Sequence, residues 1–324
     1  MKKMKYGILA LLACSTMTLT GCFNLDEEPY SEITEESFIP TEQDAAALMA
    51  PAYGKLTYIF DWQGLFDTQE EPGDIIITPT RPNGWDDGGT YRRMHQHQWD
   101  NQQWQPWNCY ITPLGAINTV NRVKAQLDED ALPVGDLKEP MIAELRALRA
   151  LWYSMLLDTH GNVPIVDTWT DELPKQATRQ EVYNFVVKEL TEALPNLSEA
   201  NDGTTYGRMN KWAALACLTR VYLNAEVYTG TAQWAKVVET ADQIINSGIF
   251  ELAPDYSDNF AVDMDYSNNK EVIFAVPYDM QYAAFGQQHK WYPPVANNHF
   301  GNFKDYFWGG SCANPQFINA YEPG

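Results

Sequence analysis

Two stretches of this sequence crowd aromatic rings beside planar polar side chains. Trp85, Trp99, Trp104 and Trp107, four of the 11 tryptophans, lie in one of them with Arg81, Asp86, Asp87 and several Asn and Gln. The other runs from Tyr278 to Trp308 and holds Tyr282, Phe285, Trp291, Tyr292, Phe300, Phe303, Tyr306 and Phe307 between them. The chemistry open to such a set is recognition: the apolar C–H face of a pyranose stacks on a ring while carboxylates, amides and guanidinium groups bond its hydroxyls. Each ring also suits a protein core.

Bond-making chemistry has less to stand on. The 43 acidic residues would allow a glycosidase pair, but no spacing selects one. The sequence has no Gly-rich phosphate loop, no Gly-x-Ser-x-Gly elbow and no His-Glu-x-x-His, and His95-Gln96-His97 is a weak metal motif. We therefore expect no catalytic residue and no organic cofactor. Asp263, Asp265, Asn268, Asn269 and Glu271 offer hard oxygen ligands for Ca²⁺, and the same residues suit a solvated turn. Beyond Cys14 and Cys22 the cysteines are Cys109, Cys217 and Cys312, with no CxxC spacing; buried free thiols are the expectation.

Where these residues work is written at the start of the chain. Lys2, Lys3 and Lys5 precede an apolar run from Gly7 to Leu19, and Leu19-Thr20-Gly21-Cys22 reads as a lipoprotein processing site. The run is too short to span a bilayer. Residues 1–21 are thus read as a signal peptide, Cys22 as the lipid attachment site and residues 22–324 as one anchored domain, held by acyl chains and not by a span. The formal charge of −21, with only 22 basic residues and three of them in the leader, argues against a nucleic-acid partner. At 45% hydrophobic and 13% aromatic residues, the chain has the material for a large core.

Helical periodicity supplies the scaffold. Met141–Thr159 aligns Leu145, Leu148, Trp152, Met155 and Leu156 on one face and stops at Gly161 and Pro164. Thr178 to Glu181 forms a capping box ahead of Val182, Phe185, Val186 and Leu190, closed by Pro195. Asn210 caps a third helix striped by Trp212, Leu215, Leu218, Val221, Tyr222 and Ala225. A fourth, Gln233–Ser247, is expected to bury Trp234, Val237, Val238, Ala241 and Ile244 before Gly248. The third and fourth together have about the length of a tetratricopeptide unit. An earlier amphipathic pair is expected at Asp44–Tyr58 and Ile111–Leu127. Residues 64–110 and 254–324 show no helical period and read as the loops that carry the ligand site.

Several segments resemble the RagB/SusD family, the surface glycan-binding lipoproteins of Bacteroidetes. They are Leu25 to Pro29 after the lipoprotein start, Pro82 to Gly89, His97, Trp107 to Tyr110, Glu144 to Tyr153 running into His160 to Pro164, and Arg220 to Gly230. Their order and spacing follow the family along the chain. The resemblance implies an all-α fold of tetratricopeptide-like helical pairs with a large irregular ligand-binding region. It also implies a TonB-dependent SusC-like barrel in the outer membrane, beneath a surface-facing lid that holds an oligosaccharide or polysaccharide. Relatives that take up peptides make a peptide-binding lid the alternative, and a scaffold without a ligand is a third reading. By position in the motifs, Trp85 and Trp308 would be stacking platforms, Arg81 and Asp87 hydrogen-bond partners, and Tyr282 or Phe285 a third ring. Arg81 and Trp85 rest on a matched motif, the others on order along the chain. Family members are longer, so the resemblance further implies a fragment or truncated product with apolar surface left uncovered.

Overall fold

The computed structural model describes residues 41–321 apart from 62, 82–85, 133, 171, 262–263 and 279–309. These residues belong to one compact unit, Pro40–Gly324. Its elements are predominantly helical, as the periodicity predicts: α1 (Glu42–Tyr53), α2 (Leu65–Glu70), α3 (Thr90–His95), α4 (Trp104–Asp128), α5 (Lys138–Thr159), α6 (Arg179–Ala193), α7 (Lys211–Leu223), α8 (Ala225–Thr229), α9 (Trp234–Ile245) and α10 (Pro315–Ile318). The named strands among the described residues are two of two residues each, β1 (Ile76–Ile77) and β2 (Cys312–Ala313), paired antiparallel with Ile76 opposite Ala313 and Ile77 opposite Cys312.

Local chemistry sets the helix starts. Thr41 and Asp44 form a capping box at α1, Thr178 and Glu181 another at α6, and Asn210 accepts from the Ala213 amide at α7. Each satisfies amides that a first turn leaves without intrahelical partners. Gly230 and Gly248 follow α8 and α9 with φ of 75° and 67°, a left-handed conformation that ends a helix at little cost only for glycine.

The most extensive helix packing is between α5 and α6, α4 and α5, and α7 and α9, with α1 laid against α4 and α5. Leu145, Leu148, Trp152 and Leu156 are fully buried, and so are Ala147, Ala150 and Tyr153, which places α5 at the centre with neighbours on several sides. A helix buried so widely must neutralise its charges internally. Glu144 accepts from Arg208 at 2.9 and 2.6 Å and from the Tyr53 hydroxyl at 2.6 Å. Burial, and next the adjacent Glu144 carboxylate, hold the Tyr53 phenol well above its ordinary pKa. Arg149 donates to Glu189 of α6, to Asn121 of α4 at 2.7 Å and to the Asp167 carbonyl at 2.6 Å. These two knots fix the register of α1, α4 and α6 on α5.

Four expectations are corrected. Helix α4 starts at Trp104, seven residues before Ile111, and carries Pro113 inside it. The segment 64–110 contains α2 and α3, each too short to show a period, and the first turns of α4. In α9, Trp234 and Val238 are 54% and 59% exposed, while Ile244 is buried and Val237 and Ala241 half-buried. The stripe there is wider than the contact α7 makes with it. Cys109 and Cys217 are buried free thiols, but Cys312 is exposed.

Candidate ligand-binding site

Residues 75–81 run alongside residues 310–314, more than 220 positions later in the chain. The strand pair begins the contact, and Asn314 N donates to the Ile75 carbonyl at 2.8 Å. Thr78 donates to the buried Glu71 carboxylate and shares a 2.8 Å hydrogen bond with Ser311. Arg81 donates from Nη1 to the Gly310 carbonyl at 2.7 Å, and its Nη2 lies 3.7 Å from Cys312 Sγ. The motif-matched arginine is therefore a bridge from the first irregular stretch to the end of the second, two residues after Trp308.

The platform beneath is anchored by buried acids. Asp67 accepts from the Tyr91 hydroxyl at 2.8 Å and from the Gln63 amide at 2.9 Å, tying α3 to α2. Both Asp67 and Glu71 are fully buried. Asp87 accepts from the Gly89 amide at 2.6 Å, an Asx turn in which Gly88 and Gly89 adopt φ of 64° and 77° and lead into α3. A Cβ at Gly89 would meet the Arg92 guanidinium at 3.2 Å as well as the positive φ. Helix α3 is then pinned to the start of α4: Thr90 donates to Gln105 Oε1 at 3.3 Å, and Arg93 Nε to Gln103 Oε1 at 3.0 Å.

Of the residues chosen from sequence, the structure brings Arg81 and the Asp87 turn onto this platform. Trp85, Tyr282, Phe285, Trp308 and the lipid-site Cys22 lie outside the described residues. Tyr278 is described; its hydroxyl donates to the Thr57 carbonyl at 2.7 Å, and burial raises its pKa to about 12. Sequence reasoning missed Thr78, Ser311, Glu71, Asp67 and Tyr91. Nothing in local spacing pairs Thr78 with Ser311, because only the fold makes them neighbours.

Asp263 lies outside the described residues, and Asp265 accepts from the Ser267 amide and hydroxyl at 2.7 and 2.6 Å. Glu271 accepts from the Ala253 amide and Asn259 at 2.8 and 3.0 Å, and Asn269 bonds Asn259 at 2.8 Å. Asp265 thus holds its own turn, while the Glu271 carboxylate and the Asn269 amide nitrogen tie that turn to residues 253–259. Among the described residues no cluster of three or more His, Cys, Asp or Glu is arranged to hold a metal ion. His97 Nε2 sits 3.1 Å from the Pro72 carbonyl and its ring 5.4 Å from that of Trp99. A cavity of about 520 Å³ between α2, α5, α7 and residues 271–276 is lined by Asp158, Cys217 and Arg220. Burial pushes the Cys217 thiol up to about 11, so it is protonated at neutral pH and a poor nucleophile. No helix among the described residues is long and apolar enough to cross a membrane.

Comparisons with known proteins agree with this architecture. A family model described as SusD-like, starch-binding and associating with the outer membrane, matches residues 24–223. The starch-binding protein SusD of Bacteroides thetaiotaomicron is 35% identical over 139 residues, 42% of this chain and 25% of that protein. A structure described as a laminarin-binding SusD-like protein superposes with a TM-score of 0.71 at 18% identity, over 86% of this chain and 63% of the other. The surface glycan-binding protein A of Bacteroides thetaiotaomicron, in complex with laminarihexaose, gives 0.69 at 18% identity, over 87% and 61%. At such identities the structures speak for the fold alone. The chain spans between a quarter and about three fifths of the length of curated relatives it matches.

Proposed function

The chain belongs to the SusD-like family, and from that premise we propose that it is a non-catalytic glycan-binding protein of the outer membrane. In this reading an oligosaccharide or polysaccharide is held on the surface formed where residues 75–81 meet residues 310–314, and is passed to a TonB-dependent, SusC-like barrel. Cys22 carries the lipid that keeps the protein facing the medium. Trp85 and Trp308 supply stacking faces, Tyr282 or Phe285 a third ring, and Asp87 a carboxylate acceptor at the rim.

The observation that carries the proposal is the 2.7 Å bond from Arg81 to the Gly310 carbonyl, together with the Thr78–Ser311 bond. These bonds tie Thr78 and Arg81, seven and four positions before Trp85, to Ser311 and Gly310, three and two positions after Trp308; a site with rings from both stretches requires such proximity. Laminarin and starch, named for the relatives, are the first ligands to test.

Affinity electrophoresis through gels containing laminarin, soluble starch or other neutral glycans, run beside a peptide mixture in solution, tests the reading. Retardation by at least one glycan is expected. Binding to peptides alone would replace it with the peptide-lid reading, and binding to neither would leave a scaffold.

A further inference from the structure

Helix α4 presents an aromatic face that the site described above does not use. Trp104 and Trp107 are 56% and 55% exposed, and Ile111, one turn further on, is 43% exposed. The spacing i, i+3, i+7 places the three side chains on one side of the helix, along about 10 Å of its axis. Trp99, its ring tilted 39° against that of His97, is exposed just before the helix starts. Indoles are the largest side chains a fold can bury, so a row of them at the surface marks an interaction site.

This face is linked through the fold to the Asp87 turn of the proposed glycan site. The Asp87–Gly89 turn enters α3 at Thr90, and Gln103 donates from Nε2 to the Thr90 carbonyl and hydroxyl at 3.4 and 3.3 Å. Trp104 is the next residue after Gln103. Asn101 and Gln102, beside the rings, are exposed amides able both to donate and to accept. Rings alternating with neutral amides suit a sugar chain; the acidic balance of the whole molecule disfavours an anionic partner.

Resting on the glycan reading, we propose that Trp104 and Trp107 form a second stacking platform that continues the first, so that the ligand class is a polysaccharide long enough to lie on both. A short oligosaccharide then occupies only the Arg81 side, and the polymer gains its extra affinity on α4.

The test uses the full chain, with laminarin as polymer and laminarihexaose as short ligand. Trp104→Ala with Trp107→Ala should weaken laminarin binding about tenfold, as two stacking contacts imply, and change hexasaccharide binding less than twofold. Trp107→Phe should recover part of the loss. Both side chains are half exposed, so the melting temperature should stay near that of wild type. Should the double variant fold poorly, oxidation of the wild-type indoles by N-bromosuccinimide gives an independent readout: laminarin, and not the hexasaccharide, should protect Trp104 and Trp107. Unchanged polymer affinity in the folded variant, or no protection, overturns the platform while the glycan reading stands. If the gel panel selects a glycan other than laminarin, its polymer and oligosaccharide take their place; wild-type protein that binds no glycan of the panel overturns both.

Discussion

Arg81 is both a motif-matched residue and a structural bridge, and the two roles separate on substitution. Truncating it to Ala removes a charge-assisted bond to the Gly310 carbonyl. Such bonds contribute about 1.5–3 kcal/mol, and because Arg81 is only half-buried, solvent replaces part of this, leaving about 1–2 kcal/mol. The loss falls on the contact between residues 75–78 and 311–314 and not on the α4–α5–α6 core. It should appear as local opening with little change in global melting. The Asn314 amide, which donates to the Ile75 carbonyl, reports on that contact. Hydrogen exchange there should quicken about 5–30-fold in Arg81→Ala, the factor that 1–2 kcal/mol implies. Glycan binding should weaken with it, since rings from the two stretches would no longer be held together. Arg81→Lys keeps the charge but not the planar fork, and should fall between. An Arg81→Ala protein with unchanged Asn314 exchange and abolished binding would refute the bridge and leave a direct ligand contact.

Three further outcomes follow from the scaffold. Glu189→Gln leaves the buried Arg149 charge without its carboxylate and should destabilise the fold by about 3–5 kcal/mol in chemical denaturation, whereas replacing both partners with apolar residues should cost much less. Of Cys109, Cys217 and Cys312, only the exposed Cys312 should be labelled by iodoacetamide in native protein at pH 8, because burial both shields the other two and raises their pKa; peptide mapping reads this directly. The Thr178 amide and hydroxyl hold Glu181 below its ordinary pKa, so its folded value lies under the unfolded one of about 4.3. Its contribution is thus present above that value and lost as pH falls through the lower, folded one, and Glu181→Gln should flatten the acid side of a plot of melting temperature against pH.

The core was legible where periodicity and capping chemistry coincide. Thr178, Glu181, Asn210 and the Leu145–Leu156 stripe each satisfy a local rule, and the helices form where those rules place them. Helix α9 shows the limit: its apolar stripe is real, but a stripe does not say how much of it a neighbour covers, so Trp234 and Val238 are surface residues. The short α2 and α3 were illegible because their six residues make fewer than two turns. In the candidate site, Arg81 was found through a motif, yet its bond to Gly310 joins positions that no local pattern relates. Asp67, Glu71 and Tyr91 were hidden for the same reason, being polar residues whose burial only the tertiary fold creates.

The central claim is that rings from two distant stretches grip one glycan. Calorimetric titration of laminarihexaose, or of whichever oligosaccharide the gel panel selects, into wild type and into a Trp85→Ala, Trp308→Ala double variant tests it most directly. Each stacking ring contributes about 0.5–1.5 kcal/mol beyond its buried area, so the account predicts at least a tenfold loss of affinity in a variant that still melts cooperatively. A double variant that remains folded and binds with wild-type affinity would contradict it.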